Sequence, residues 1–229
     1  MAVYDHEEQE QLDEIKAWWK QHGNKVLNIA LLVTAVAAAA VGWKWYQGKQ
    51  TAEAVSLYGQ LQLSVEKRDA KRALDIAVEL TDKYASTIYA GMGAMVAARS
   101  QYEIGDVKNA KAQLGWAAEK SSDPALRDLA HLRLAGVLLD EKAYDEALKQ
   151  LSAPAEKAFA ARFGELKGDI FLAQGKTTEA RDAYQQALVA LDGQGDGKSG
   201  ENKAGPVGQR EAAYRELVQI KLESLGGKS

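Results

Sequence analysis

Of the 229 residues, 46% are apolar and 27% are charged, and there is no cysteine. This is globular composition, which excludes collagen-like chains, disulfide scaffolds and disorder along the full length; without a thiol there is no disulfide, thiolate nucleophile or thiolate metal site. The net charge of −3 sits entirely before residue 26, where Asp5, Glu7, Glu8, Glu10, Asp13 and Glu14 outnumber Lys16, Lys20 and Lys25. The remainder is neutral with scattered signs, so it has no basic stripe to pair with phosphates, and nucleic acid is set aside as a partner.

Residues 1–25 read as an acidic amphipathic segment. Leu12, Ile15, Trp18, Trp19 and His22 recur at helical spacing between charged residues, which places them on one face. An acidic first turn suits a helix N-terminus and weakens any attraction to anionic lipid. The stretch 26–46 follows, with Asn28 and Thr34 as its distinctly polar interior residues. At about 1.5 Å per residue, a helix of this length reaches roughly 31 Å, the thickness of a bilayer's hydrocarbon core. Trp18, Trp19 and Lys25 before it, and Trp43, Lys44, Trp45 and Tyr46 at its far end, are the interfacial anchors that a lipid bilayer favours. The acidic leader lacks the short basic region of a cleavable signal peptide, so the span is expected to stay as an anchor. Lys16, Lys20 and Lys25 on one side nearly balance Lys44, Lys49 and Lys67 on the other. Charge bias therefore barely discriminates orientation, and the expected one has a short N-terminus inside and the large C-terminal part outside.

Residues 47–229 read as one helical repeat domain, with helices expected at 49–67, 70–84, 87–104, 107–120, 124–140, 143–151, 155–174, 177–191 and 208–225. There are three prolines in the whole chain and no alternating strand pattern. Gly105 before Asp106 supplies a left-handed stop and then an N-cap, Gly175 before Thr177 repeats the device, and Asp123-Pro124 is a further helix start. Six glycines within 193–208 mark a flexible loop ahead of the last helix, 208–225.

The strings around Ala110, Ala147 and Ala180 align with spacings close to the 34-residue tetratricopeptide period, and Ala73 begins a degenerate first copy. Gly168, Phe171, Gly175, Ala180, Tyr184 and Ala187 fall on the small and large positions of that repeat. Small residues are needed where the two helices of a unit cross closely, and aromatics fill the space between units. The expected fold is thus all-α: one N-terminal transmembrane helix followed by an α-solenoid of stacked helical hairpins. Its concave face comes mainly from the first helix of each pair. The register puts Met92, Met95, Arg99 and Tyr102 there from one copy, and Arg162, Glu165, Asp169 and Leu172 from another, as a candidate partner-binding groove for extended or helical peptide.

No catalytic, cofactor or metal constellation emerges. The stretch 192–200 imitates a phosphate loop at Gly197-Lys198-Ser199, but Asp192 stands where the first glycine belongs and a helix precedes it where a strand is required. As a calcium loop it fails at Lys203, the place of a bidentate glutamate. His6, His22 and His131 are on separate segments, with His131 expected in a structural role. The chain is read as non-catalytic.

Tyr4-Asp5, Glu8-Gln9, Ile15-Lys16, Trp18-Trp19 and His22-Gly23, then the span, then Gly42-Trp43 with Trp45-Tyr46 and a tetratricopeptide-like domain together resemble the bacterial YfgM family, the ancillary subunit of the SecYEG translocon. The glycine-rich stretch 193–208 departs from that pattern by its length. The resemblance implies a single-pass inner-membrane protein with its N-terminus in the cytoplasm and its repeat domain in the periplasm. It also implies SecYEG and the anchored chaperone PpiD as partners, with newly translocated, unfolded polypeptides as clients to be handed to periplasmic chaperones. Two other readings of the residues stay open: a scaffold that binds one folded partner of an envelope assembly, and a regulator acting through its cytoplasmic N-terminal segment.

Overall fold

The computed structural model describes residues 4–152, 155–194 and 206–226, and every regular element among them is a helix. The chain divides into two units, one up to Gln50 and one from Thr51. Helix α1 (Tyr4–Glu66) supplies the first unit and opens the second. Three successive helical segments are expected there, and a single one forms. No proline interrupts the run, and Gly23, Gly42, Gly48 and Gly59 are isolated, which weakens a helix without ending it.

Within the first unit the apolar side chains from Leu27 to Val41 point outward, 53–70% exposed for the large ones, and no part of the apolar window is covered by protein. A continuous helical surface of this kind is stable when hydrocarbon is its solvent. The helix is long and apolar enough to cross a membrane. Its polar Thr34 is satisfied internally, the hydroxyl donating to the Ala30 carbonyl at 2.8 Å. Trp18, Trp19, Trp43, Trp45 and Tyr46 are all exposed, and the ring of Trp19 lies over the bare backbone of Gly23. Lys25 and Lys44 are likewise exposed.

The second unit continues with α2 (Ala70–Lys83), α3 (Ile88–Glu103), α4 (Val107–Lys120), α5 (Pro124–Asp140), α6 (Tyr144–Gln150), α7 (Lys157–Ala173), α8 (Thr177–Gln194) and α9 (Pro206–Ser224). These form four hairpins, the end of α1 with α2, α3 with α4, α5 with α6, and α7 with α8, followed by α9. Each hairpin turns in the same way. The residue two places before the second helix is left-handed: Arg68 (φ 57°), Gly105 (φ 83°), Lys142 (φ 60°) and Gly175 (φ 77°). The next N–H then donates five residues back, from Asp69 to Ser64, Asp106 to Gln101, Ala143 to Leu138 and Lys176 to Phe171, at 2.8–2.9 Å. This satisfies a helix-end carbonyl that would otherwise be orphaned. Asp69 and Asp106 then cap the second helix, accepting from the N–H groups of Arg72 (3.0 Å) and Asn109 (3.1 Å). The bonds of Asn109 hold the Asp106 carboxyl below its ordinary range. In the fourth hairpin Thr177 is the first residue of α8 itself, not its cap, and Lys176 takes the preceding position.

Ala73, Ala110, Ala147 and Ala180 each lie three residues past the start of the second helix and are fully buried. The first pair is therefore a true copy. Close approach is evident in the last pair: a methyl added to Gly168 would drive into the ring of fully buried Tyr184, and one added to Gly164 would meet the backbone of Ala187 at 3.0 Å. The core runs along the stack in three clusters, centred on Leu61, Ile76 and Leu80, on Leu114, Leu151, Phe163 and Ile170, and on Tyr184 and Val218. Residues 195–205, which hold most of the glycine-rich stretch 193–208 and of its two look-alike motifs, lie outside the described residues.

Candidate binding groove

The first helices of successive pairs face one open side. Two adjoining clefts lie along it, of about 460 and 430 Å³, and they share Met95, Arg99 and Arg133. Tyr58 and Val65 of α1, Met92 of α3, and Leu126 and Leu129 of α5 line the first lobe. Ala98 and Tyr102 of α3, Leu114 of α4, and Val137 and Asp140 of α5 line the second. The groove follows the repeat: Tyr58, Met92 and Leu126 stand 34 residues apart, as do Val65, Arg99 and Arg133. Equal registers on parallel-stacked first helices put one side chain per unit at each level of the surface.

Met92, Met95, Arg99 and Tyr102 all line this groove. Arg99 donates from Nε to Glu103 at 2.7 Å in an exposed pair, and the Tyr102 hydroxyl donates to Asp140 at 2.8 Å. That bond and the carboxylate's charge raise the phenol's pKa. The Arg133 guanidinium makes no ion pair or hydrogen bond among the described residues, while partial burial, and then the like charge of Arg99, push its pKa down.

The α7 residues have another fate. Arg162 lies over the ring of Tyr214, 5.5 Å from its centroid. Glu165 accepts from the Tyr214 hydroxyl at 2.6 Å and from Lys221 at 2.7 Å. Asp169 accepts from Lys221 at 2.8 Å and from the Tyr184 hydroxyl at 2.7 Å. Helix α9 therefore occupies this end of the first-helix surface and engages Arg162, Glu165 and Asp169 within the chain, while Leu172 is exposed and lines neither cleft. Burial first, and then the bonds to Asp169 and Glu165, hold the Tyr184 and Tyr214 hydroxyls well above the ordinary phenol range. Burial alone would lower the Lys221 ammonium, but its bonds to Asp169 and Glu165 outweigh this and its net shift is upward. Val218 packs against Ala180, Tyr184 and Ala187 beneath these bonds.

Arg133, Tyr58, Leu126 and Leu129 are groove residues that the initial register did not name. Their signal is the 34-residue step from Met92, Met95 and Arg99. It is weak because the seven-residue α6 makes the surrounding copy a poor match. His131 holds a structural bond, its Nδ1 lying 3.0 Å from Gln150 Oε1. Among the described residues no group of three histidine, aspartate or glutamate side chains is arranged for a metal ion.

Helical hairpins stacked at this period, each closed by the same left-handed turn and preceded by an apolar helix long enough to cross a membrane, define a tetratricopeptide-like repeat protein. The tetratricopeptide repeat-like domain family matches residues 16–227. The chain belongs to the family of ancillary SecYEG translocon subunits. It is 33% identical over 223 residues to the protein of that name from Neisseria gonorrhoeae, covering 96% of this chain and 97% of the relative. The protein of the same name from Haemophilus influenzae is 28% identical over 185 residues, covering 81% and 90%, and the one from Escherichia coli K12 is 25% identical over 190 residues, covering 82% and 90%.

Proposed function

We propose that this chain is a non-catalytic accessory subunit of the SecYEG translocon, anchored in the inner membrane with its N-terminus in the cytoplasm and its repeat domain in the periplasm. There its groove holds emerging polypeptides and passes them to periplasmic chaperones, with PpiD as its membrane-anchored partner. The observation that carries this is the match to the Neisseria gonorrhoeae translocon subunit along 96% of the chain, which takes in both the apolar helix and the repeat domain. The open groove supports it physically. Methionine and leucine side chains adapt to varied apolar sequences, and an anchor raises the local concentration of such a surface at a membrane exit site without any new contact. Weak holding suits the task, since a client held too tightly would not be passed on.

A photo-crosslinker in place of Met92 or Leu129 tests the proposal in membranes that are actively exporting protein. The expected products join the groove to nascent secreted chains and to a periplasmic chaperone, and they disappear when export is blocked. Crosslinks to cytoplasmic proteins alone would overturn both the orientation and the client assignment.

A further inference from the structure

The two lobes of the groove meet at a pair of arginines, and the pair is unequal. Arg99 is neutralised by Glu103 at 2.7 Å, whereas Arg133 on the facing helix has no acidic partner among the described residues. The other carboxylate of the lining, Asp140, already accepts from Tyr102. A guanidinium at the junction of two apolar lobes, with no carboxylate of its own among the described residues, is a charge open to an incoming anion. The walls around it define what can bring that anion. Met92, Leu126 and Leu129 flank it on one side and Leu114 and Val137 on the other, so the anion has to carry apolar groups in both directions.

Resting on the peptide-holding reading above, we infer that Arg133 receives the side-chain carboxylate of a bound polypeptide, so that the groove prefers segments in which one aspartate or glutamate is flanked on both sides by apolar residues. The carboxylate sits at the junction of the lobes and its apolar neighbours fill them. A fork of guanidinium donors matches a carboxylate in two parallel bonds, which fixes the register of an otherwise degenerate apolar contact. Arg99 stands ready as a second donor whenever Glu103 releases it.

The test uses the full chain in nanodiscs of phosphatidylcholine, whose zwitterionic headgroups do not compete for the arginines. Two fluorescein-labelled apolar decapeptides are compared by anisotropy, identical except for a central glutamate in one and glutamine in the other. The glutamate peptide is expected to bind about fivefold more tightly at low ionic strength, as for a partly exposed ion pair, and the difference should shrink as salt is added. Arg133→Gln should bring the two peptides to equal affinity, Arg133→Lys should keep part of the preference, and Glu103→Gln should widen it by releasing Arg99. Arg133 makes no hydrogen bond or ion pair among the described residues, so thermal melting of Arg133→Gln should match the parent chain. Equal binding of both peptides to the parent chain, or a preference that survives Arg133→Gln, would overturn the role of Arg133 and leave the peptide groove standing. Failure of either peptide to bind would overturn the peptide-holding reading itself.

Discussion

The two ends of the repeat stack start from the same plan and finish differently. At the α1, α3 and α5 end the first helices present Tyr58, Met92, Leu126 and two arginines to an open groove. At the α7 end the corresponding surface is covered by α9, and its charges are spent on Tyr214, Lys221 and Tyr184. A repeat register therefore specifies a surface and leaves its use undecided: the next element along the chain determines whether that surface is a site or part of the interior. A helical stack needs a cap on its last pair, whose apolar face would otherwise remain in water. Here the cap is bound by a partly buried ionic network as well as by Val218, so the closed end is built for permanence and the open end is not.

Substitutions at each end should expose this contrast. The largest effect is expected for Gly168→Val, because its side chain has nowhere to go but into the fully buried Tyr184 ring. A loss of about 3 kcal/mol in urea unfolding of the full chain is predicted from overpacking. Gly115→Ala, in open space on α4, should by contrast be neutral or slightly stabilising. Next comes Lys221→Ala, which leaves Glu165 and Asp169 facing each other without a cation. About 2 kcal/mol should be lost, and limited proteolysis should cut within α9 sooner than in the parent chain.

Alkaline pH should loosen the same end. Tyr184 and Tyr214 have folded-state pKa values above the ordinary 10.0, so folding favours their neutral form. Their contribution is complete below pH 10 and disappears as pH rises through the folded values. Lys221, raised above 10.5, favours its charged form when folded and loses its contribution in the same direction. Protease sensitivity of α9 measured from pH 8 upward should therefore increase only above about pH 10, while Tyr184→Phe should cost about 1 kcal/mol at neutral pH through the lost hydroxyl bond. The smallest change is predicted at the open end. Arg99→Ala removes a pair whose side chains are 77% and 58% exposed, and stability by urea titration should move by less than about 0.5 kcal/mol.

Much of this organisation is legible along the chain because its causes are local. The apolar run, the aromatic residues around it, the aspartate caps and the glycine turns at Gly105 and Gly175 all act within a few residues of themselves. Arg68 and Lys142 are the instructive exceptions. Neither side chain favours a left-handed backbone, yet both adopt it at the place where glycine stands in the other hairpins. Packing of the two helices dictates that turn, and the residue there bears the strain. The groove was half legible for a similar reason. Met92, Met95, Arg99 and Tyr102 follow from the register of a well-matched copy, whereas Arg133 belongs to a copy that the short α6 disguises.

By itself the sequence determined which segments are helical, where the hairpins turn, which stretch is long and apolar enough for a membrane, and where glycine permits close crossing. Those properties arise from backbone conformation and hydrophobic periodicity, which operate over one to a few helical turns. Only the tertiary structure decided which charged side chains of the repeat surface are engaged. Lys221 meets Glu165 and Asp169 across more than fifty residues of chain, and Arg133 is left beside Arg99 by the stacking of α3 and α5. Electrostatic attraction depends on separation in space, so the pairing of these groups, and the position of Arg133 without a partner among the described residues, were settled when the hairpins stacked.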